Sequence, residues 1–209
     1  MVANVVCISR AMYTGAENIA HEVAQELGFR YVDEEIVERA AQKRNLTPTE
    51  VASAERRKNF LVTALADIAD HGSDLIAYFA NNKEAQRPSD ELRNLIRQAI
   101  NETADEGRVV IVAHAASYAL ARRKQVLRVL ITGSEFGRVM KWAPTAGGAS
   151  PTEAGEAIRA SDAARADYLR RFYDVKTETP DHYDLTVSVD ALKPESIKAL
   201  ILQAARLVD

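Results

Sequence analysis

With 209 residues, 47% of them hydrophobic and 27% charged, the chain is long enough for one well-buried core and too short for two comfortable domains. Its formal net charge of −3, from 27 basic and 30 acidic side chains, gives no overall attraction to nucleic acid or to an anionic membrane. The only cysteine, Cys7, excludes an internal disulfide bond and lies in an apolar run, which favours a buried and inert thiol.

The location of the protein is suggested by what its first residues lack. Residues 1–8 carry no basic segment of the kind that opens a secretory signal. No apolar run approaches the roughly 20 residues that are needed to span a bilayer. We therefore expect a cytoplasmic protein that does not contact membranes.

The first 33 residues predict a strand, a loop, a helix and a second strand. Residues 5–8 are apolar and rich in β-branched side chains, which predicts a buried strand. From Ala16 to Leu27 the apolar residues recur with a helical period, and Gly28 supplies a stop signal. Residues 29–32 predict the second strand. Such a βαβ unit requires a parallel sheet with a right-handed crossover.

The middle of the chain, residues 34–106, predicts almost only helix. A helix start is indicated at residues 47–50, where Thr47 can cap, Pro48 lies in the first turn and Glu50 follows three residues after the cap. Another helix opens near Pro88 and ends near Glu106. This stretch therefore predicts a helical insertion after the second strand.

In the second half of the chain, predicted strands again alternate with predicted helices, and this pattern indicates the fold class. The strongest strand predictions are residues 108–113 and 126–131. The other predicted elements are a short helix at 115–122, a helix from Glu135 to about Trp142, a flexible loop at 143–150, a long helix from Pro151, a strand at 183–189 and a closing helix from Pro194. Strands that alternate with helices predict an α/β three-layer sandwich around a central parallel sheet.

The loop after the first strand, residues 9–18, is the first candidate site, because open parallel sheets bind ligands beyond the carboxyl ends of their strands. A phosphate-binding loop uses backbone N–H groups at a helix N-terminus, a lysine for the phosphates and a Ser/Thr hydroxyl for Mg²⁺. Gly15 is present, but Ala16 stands at the lysine position and Glu17 at the hydroxyl position. On these residues alone, an ordinary strand-to-helix connection is an equally good interpretation.

A dinucleotide-binding fold is the natural competitor. Asp33 closes the second strand and is placed like the acidic residue that binds the ribose of a nicotinamide cofactor. That fingerprint needs three glycines for the tight turn, the phosphate approach and the helix packing, and only Gly15 is present. The sequence therefore disfavours a nicotinamide enzyme.

Several motifs occur in an order that is typical of a known family. Ile8-Ser9-Arg10 leads into the first loop, Tyr31-Val32-Asp33-Glu34-Glu35-Ile36-Val37 covers the second strand and the start of a helix, residues 110–120 cover the third strand and its turn, and Tyr183-Asp184-Leu185 opens the last strand. Together they resemble the cytidylate kinase-like family, relatives of bacterial cytidylate kinase. The resemblance extends over nearly the whole chain except residues 50–90, and no single motif is highly specific.

The resemblance implies a P-loop NTPase-like fold over residues 1–209. It further implies a helical substrate-binding region at 34–106 and a lid region at 143–175. Two departures bear on activity: Tyr13, Ala16 and Glu17 replace two glycines and an arginine of the family's loop, and His114 replaces the arginine after the third strand. Removing one preorganised donor typically costs about 10²–10³ in rate. Nearby arginines can compensate, since phosphoryl transfer needs positioned positive charge.

The resemblance also implies roles for particular residues. The expected contacts to ATP phosphates, with Mg²⁺ if the protein is active, are Arg10, Thr14, Gly15, Ala16, Glu17 and Asn18. The expected contacts to the acceptor substrate are Asp33, His114 and Arg138, and the expected catalytic residues are Asp162, Arg165 and Arg171. From the residues themselves, a salt-bridged surface helix around Arg165 and a satisfied histidine at 114 are equally good interpretations. No spacing of histidines or of the cysteine predicts a metal site.

Two functional hypotheses follow. In the first, the chain transfers the γ-phosphate of ATP to a nucleoside monophosphate such as CMP. In the second, it is a catalytically degenerate member of the family that uses no cofactor and serves as a ligand sensor or protein-interaction module. The expected partner is a nucleotide or another phosphorylated small molecule. Nucleic acid is not expected, because the basic clusters at 55–58 and 122–124 are typical of solvated faces.

Overall fold

The computed structural model describes residues 3–33, 90–113, 116–121, 123–141 and 150–208. The predicted helices at 34–89 and the predicted loop at 143–149 lie outside these residues. In chain order the elements are β1 (Val5–Arg10), α1 (Ala16–Leu27), β2 (Arg30–Val32), α2 (Asp90–Glu106), β3 (Val109–Val112), α3 (Ala116–Ala119), β4 (Val126–Thr132), α4 (Glu135–Lys141), α5 (Pro151–Tyr173), a 3₁₀ turn (Pro180–His182), β5 (Leu185–Ser188) and α6 (Pro194–Ala205).

The described strands form one five-stranded sheet in the order β2-β3-β1-β4-β5, and every pairing is parallel. β1 lies at the centre, where Val5 is aligned with Val109 of β3 on one side and with Val126 of β4 on the other. This confirms the parallel sheet that the first βαβ unit predicted. Because the strands are in register, their carboxyl ends lie together along one edge.

Alternating strand side chains build two apolar clusters, one on each face of the sheet. On one face, Val6 and Ile8 pack with residues of α1 and α6. On the other face, Val5 and Cys7 pack with residues of α2 and α3. The predicted three-layer sandwich is therefore confirmed. Since α1 and α3 leave adjacent strands towards opposite faces, the ends of β1 and β3 flank the crevice where open sheets bind ligands.

For the described elements the predicted boundaries hold within two residues, except that the short helix predicted at 115–122 already ends at Ala119, and two of the differences have a local cause. Gly28 ends α1 in a left-handed conformation with φ of +62°, and the amide of Phe29 still donates to the Ala24 carbonyl at 2.8 Å. β2 therefore begins at Arg30 rather than at Phe29. Likewise β5 begins after Asp184, whose carboxylate accepts from the backbone N–H of Arg128 at 2.8 Å.

The long helix α5 begins where its capping residues stand. The Ser150 hydroxyl accepts a hydrogen bond from the Glu153 amide at 3.3 Å, and the Glu153 carboxylate accepts from the Ser150 amide at 3.0 Å. Pro151 occupies the first turn, where its missing N–H costs nothing. This capping box fixes the start of the helix that carries Asp162 and Arg165. Among the described helices, none combines the length and the apolar character that crossing a membrane requires.

Gly28 offers a test of the helix end. Gly28→Ala is expected to lower the free energy of unfolding by about 1–2 kcal/mol, because a Cβ is unfavourable at this positive φ. Urea unfolding followed by circular dichroism would measure it. The matched control is Gly155→Ala inside α5, where an added Cβ meets its neighbours at 3.4 Å or more and is expected to leave stability unchanged or raise it by up to about 1 kcal/mol. Equal losses in both variants would contradict this account of Gly28.

Candidate functional site: the cleft beyond the end of β1

The loop between β1 and α1 closes on itself. The hydroxyl of Thr14 is buried and donates to the Ala11 carbonyl at 2.8 Å, so this side chain is engaged inside the loop. Gly15 follows with φ of +66° and caps α1 without a side-chain hydrogen bond. The amides of the first helical turn are thus not capped by a side chain, and they lie at the sheet edge where an anion would be favoured.

Tyr13 adopts a backbone conformation that favours glycine. Its φ is +59°, in the left-handed region, where a non-glycine residue costs roughly 1–2 kcal/mol. The loop therefore has a glycine-like backbone at a residue with a large side chain.

The residues at the lysine and hydroxyl positions of a phosphate loop point in different directions. Ala16 is fully buried and belongs to the apolar cluster beneath α1, so only its backbone amide is placed to contact a ligand. Glu17 pairs with Arg10 at 2.7 Å, and the Arg10 side chain is only 14% exposed. Asn18 is exposed at the helix surface. The structure thus brings Arg10 and Glu17 together as a neutral pair beside the loop.

Arg138 of α4 is the first of two buried guanidinium groups in the cleft. It donates to both carboxylate oxygens of Asp162, at 3.0 and 2.5 Å, and thereby connects α4 to α5. A third, longer contact of 3.4 Å joins Nη1 of Arg138 to the carbonyl of Met12 in the first loop. The Arg138 side chain is 5% exposed, whereas that of Asp162 is 44% exposed. The pair has therefore a buried cation and a partly solvated anion.

Arg165 of α5 is the second buried guanidinium group. It donates to the two carboxylate oxygens of Glu178 at 2.8 and 2.5 Å, and to the Tyr183 hydroxyl at 3.2 Å. Its Nη1 reaches the Arg10 carbonyl at 3.2 Å, so α5 is also joined to the end of β1. The Tyr183 hydroxyl donates to Glu178 and closes the network.

The electrostatics of this network favour an ionised Glu178. Burial by itself raises the pKa of the Glu178 carboxyl, but the hydrogen bonds and the charge of Arg165, with the Tyr183 hydroxyl, outweigh burial and leave that pKa below its ordinary value. Burial raises the pKa of the Tyr183 hydroxyl, which therefore stays protonated and able to donate. The three side chains form an ion pair with an additional neutral donor.

The two ion pairs line a single cleft of about 210 Å³. Its lining residues are Ala11, Leu130, Thr132, Arg138, Asp162, Arg165, Ala166 and Glu178. The cleft contains two guanidinium groups and two carboxylates, so its formal charge sums to zero. Of the residues predicted for the site, Arg138, Asp162 and Arg165 are brought together here, and the Arg10 backbone touches them.

Other predicted site residues lie elsewhere. Asp33 is exposed at the end of β2, where its carboxylate accepts from the Tyr31 hydroxyl at 3.1 Å, and it is not part of the cleft lining. The Tyr31 ring stacks on His21 with centroids 3.6 Å apart. His114 and the side chain of Arg171 lie outside the described residues. Across the part of the chain that the structure describes, no group of three or more potential ligands of the His, Cys, Asp or Glu type could hold a metal ion.

Sequence reasoning missed Glu178 and the role of the Tyr183 hydroxyl. Glu178 lies between two threonines in a stretch without periodicity, and its 13-residue separation from Arg165 is not a helical spacing. The only available signal was the family's last-strand motif, which begins at Tyr183. No local pattern assigns Glu178 to Arg165.

The family is decided by the extent of a sequence match. A family model described as the cytidylate kinase-like family matches residues 5–191. The chain belongs to the cytidylate kinase-like family. This confirms the resemblance on which the site prediction was based, and the all-parallel sheet with helices on both faces agrees with the P-loop kinase fold expected for this family. Among curated proteins, no sequence matches the chain.

Two solved structures support the fold of this cytidylate kinase-like protein. An uncharacterized protein from Eubacterium ventriosum ATCC 27560 superposes with a TM-score of 0.67 at 14% identity, over 96% of this chain and 97% of that chain. The protein TT1252 from Thermus thermophilus superposes with a TM-score of 0.50 at 14% identity, over 97% and 98% of the two chains. A shikimate kinase from Acinetobacter baumannii in complex with shikimate has a TM-score of 0.48 at 12% identity, over 98% and 93%.

The Arg165–Glu178 pair makes a stability prediction with a definite pH dependence. Glu178→Gln leaves the buried guanidinium without its counter-ion and is expected to lower the free energy of unfolding by about 3 kcal/mol at neutral pH, the lower end of the range for a broken buried pair. The lowered pKa of Glu178 stabilises the fold above the ordinary value of about 4.3, and this contribution is lost as the pH falls through the lowered value. The difference between wild type and variant is therefore expected to shrink below about pH 4.

Chemical unfolding of both proteins between pH 3 and pH 8 checks this. The matched control is Glu135→Gln, which removes the exposed pair of Glu135 with Arg159 between α4 and α5, and which is expected to cost less than about 1 kcal/mol. A loss in Glu178→Gln that is as small as the control's, or that does not vary with pH, would show that this network is not a buried ion pair in solution.

Proposed function

We propose that this protein binds a nucleotide at the cleft beyond β1 and transfers the γ-phosphate of ATP to a nucleoside monophosphate such as CMP. One observation carries the proposal. Arg138 and Arg165, from two different helices, are both buried in one cleft and both reach carbonyl groups of the first loop. Each guanidinium already has a carboxylate partner, but positive charge that is positioned beside a helix N-terminus without a side-chain cap is the arrangement that favours a phosphate group.

The first loop suits phosphate oxygens through its backbone. The left-handed Gly15 and the uncapped first turn of α1 direct amide groups beyond the sheet edge, which is the arrangement that binds phosphate in this fold class. Thr14 cannot offer its hydroxyl proton at the same time, because that proton goes to the Ala11 carbonyl. In this proposal the ATP phosphates are held by the amides of residues 15–18 and by Arg10.

The acidic residues present fit a Mg²⁺ ion that arrives with the nucleotide. Mg²⁺ is bound in such sites by one or two carboxylates, by phosphates and by water rather than by a complete protein cage. Glu17, which pairs with Arg10, and Asp162, which pairs with Arg138, are both more than 40% exposed. When bound, the ion would neutralise charge on the phosphates.

Charge neutralisation and placement are what the protein itself would supply. Phosphoryl transfer depends on positioned positive charge more than on covalent chemistry by the protein. Arg138 and Arg165 would stabilise the transferring group, and Arg171 of the same helix would add to them. Asp33 and His114 would face the acceptor, and the helical region 34–106 would help to bind it. The segment 143–175 would close over the phosphates.

A second function is favoured by a specific observation. Arg10, Arg138 and Arg165 each already have a carboxylate partner, and Ala16 stands where a catalytic lysine would be. A site whose cations are neutralised binds a triphosphate weakly and stabilises a transition state poorly. We therefore retain, as the alternative, a member of the family that senses a ligand or binds another protein without turnover.

The kinase proposal predicts ADP formation from ATP and Mg²⁺ that depends on CMP. Arg138→Lys is expected to reduce kcat/KM by about 10²–10³, because a single ammonium cannot reproduce the paired donors of the guanidinium. A coupled spectrophotometric assay measures both. The matched control is Arg170→Lys, an exposed arginine on α5 that pairs with Asp167, and it is expected to keep wild-type turnover.

Thermal unfolding with ATP, CMP or GTP separates the two functions. A ligand that binds only the folded state raises the melting temperature by mass action, whether or not it reacts. A shift with ATP or CMP in the absence of turnover would favour the sensor over the kinase. No shift with any nucleotide, together with no turnover, would refute nucleotide binding at this cleft and leave the protein-interaction role.

A further inference from the structure

The two buried arginines of the cleft differ in how firmly their carboxylates are held. Glu178 is 22% exposed and is fixed by Arg165 and by the Tyr183 hydroxyl. Asp162 is 44% exposed, and within the described part of the chain its carboxylate accepts hydrogen bonds from Arg138 alone. A carboxylate that is already partly in water loses less on turning outward than one enclosed by a second donor.

The two guanidinium groups also differ in how many of their N–H donors already have an acceptor. Arg165 uses Nε, both protons of Nη2 and one proton of Nη1 within the protein. The Nε–H of Arg138 is buried and, among the described residues, has no acceptor. A buried unsatisfied donor costs about 1–3 kcal/mol, and because this donor is closed to solvent, an acceptor reaches it only when a neighbouring side chain moves. Arg138 therefore has capacity for a ligand that Arg165 lacks.

The cleft is large enough for that ligand. Its volume of about 210 Å³ is several times larger than the roughly 30 Å³ that one water molecule occupies in the liquid. The cleft can therefore accommodate a tetrahedral anion. The anion would meet the side chain of Arg138 and the first loop at Ala11, both of which line the cleft. A planar guanidinium can bind a phosphate group through Nε and Nη2, so the phosphate would use the unsatisfied Nε–H together with a donor that Asp162 now occupies.

We infer that Asp162 is an internal competitor for the phosphate group at Arg138, and that a phosphate monoester binds by displacing Asp162 while the Arg165–Glu178 pair stays closed. This rests on the proposed function in that it assigns the cleft to a phosphate-bearing ligand. Asp162 thereby sets the affinity of the site. Because Asp162 belongs to α5 and Arg138 to α4, the exchange also releases a link between these two helices.

The test is the affinity of purified full-length variants for inorganic phosphate and for CMP, measured by calorimetry, with cytidine as the ligand that lacks the phosphate. When a binding-competent state is populated at about 10% or less, the apparent affinity is weakened about tenfold or more. Asp162→Asn is therefore expected to tighten the binding of phosphate and CMP by about tenfold and to leave cytidine unaffected.

Two control variants remove one negative charge each. Asp167→Asn, at the exposed pair with Arg170 on the same helix, is expected to change the phosphate Kd by no more than about twofold, because exposed charges are screened. Glu178→Gln is expected to tighten phosphate binding less than Asp162→Asn does, because Arg165 keeps its contacts with the Arg10 carbonyl and the Tyr183 hydroxyl. The inference is wrong if Asp162→Asn binds phosphate no more tightly than wild type or than Asp167→Asn.

A measurement on the wild-type protein covers the case in which Asp162→Asn fails to fold. The side-chain Nε–H resonance of Arg138, assigned by its loss in Arg138→Lys, is expected to shift on addition of inorganic phosphate or CMP, because this donor gains an acceptor. An unchanged resonance at saturating ligand would overturn the inference. If Asp162→Asn tightens phosphate binding but no ADP forms in the presence of CMP, only the proposed kinase reaction is refuted. If the protein turns over but its phosphate affinity is the same in wild type and in Asp162→Asn, only the competition by Asp162 is refuted.

Discussion

A guanidinium group that is buried at the end of a sheet needs a carboxylate beside it, and this constraint organises the cleft. Removing a charged group from water costs several kcal/mol even after relaxation, and only close pairing with further hydrogen bonds repays it. Arg138 and Arg165 meet the requirement with Asp162 and Glu178. Because these partners are spread over α5 and the segment that follows it, the ion pairs also fix α5 over the first loop.

The same pairs limit what the cleft can bind. A phosphate that enters must compete with carboxylates of the protein for the same donors, so the affinity is a difference between two similar interactions. The competition is unequal, because Tyr183 strengthens the hold of Glu178 while Asp162 is partly solvated. In our proposal the two arginines divide these tasks: Arg165 stabilises the fold and Arg138 binds the phosphate group.

The first loop has a backbone conformation that glycine favours at two of its residues. Tyr13 and Gly15 both have a positive φ, and Thr14 closes the turn through Ala11. Ala16 fits the apolar cluster under α1, where a long charged side chain would have no room to stay solvated. The shape of the loop therefore depends on the packing of α1 against β1 as much as on glycine content.

The sequence by itself determined the sheet, the helix ends and the layer order, because these follow from local periodicity and from single residues such as Gly28 and Pro151. It also brought Arg138, Asp162 and Arg165 into one candidate site through the family pattern. Only the tertiary structure decided that Glu178 neutralises Arg165, that Ala16 points into the core and that Asp33 lies apart from the cleft. Which carboxylate meets a guanidinium depends on how α5 crosses the end of the sheet, and no local pattern in the chain encodes that crossing.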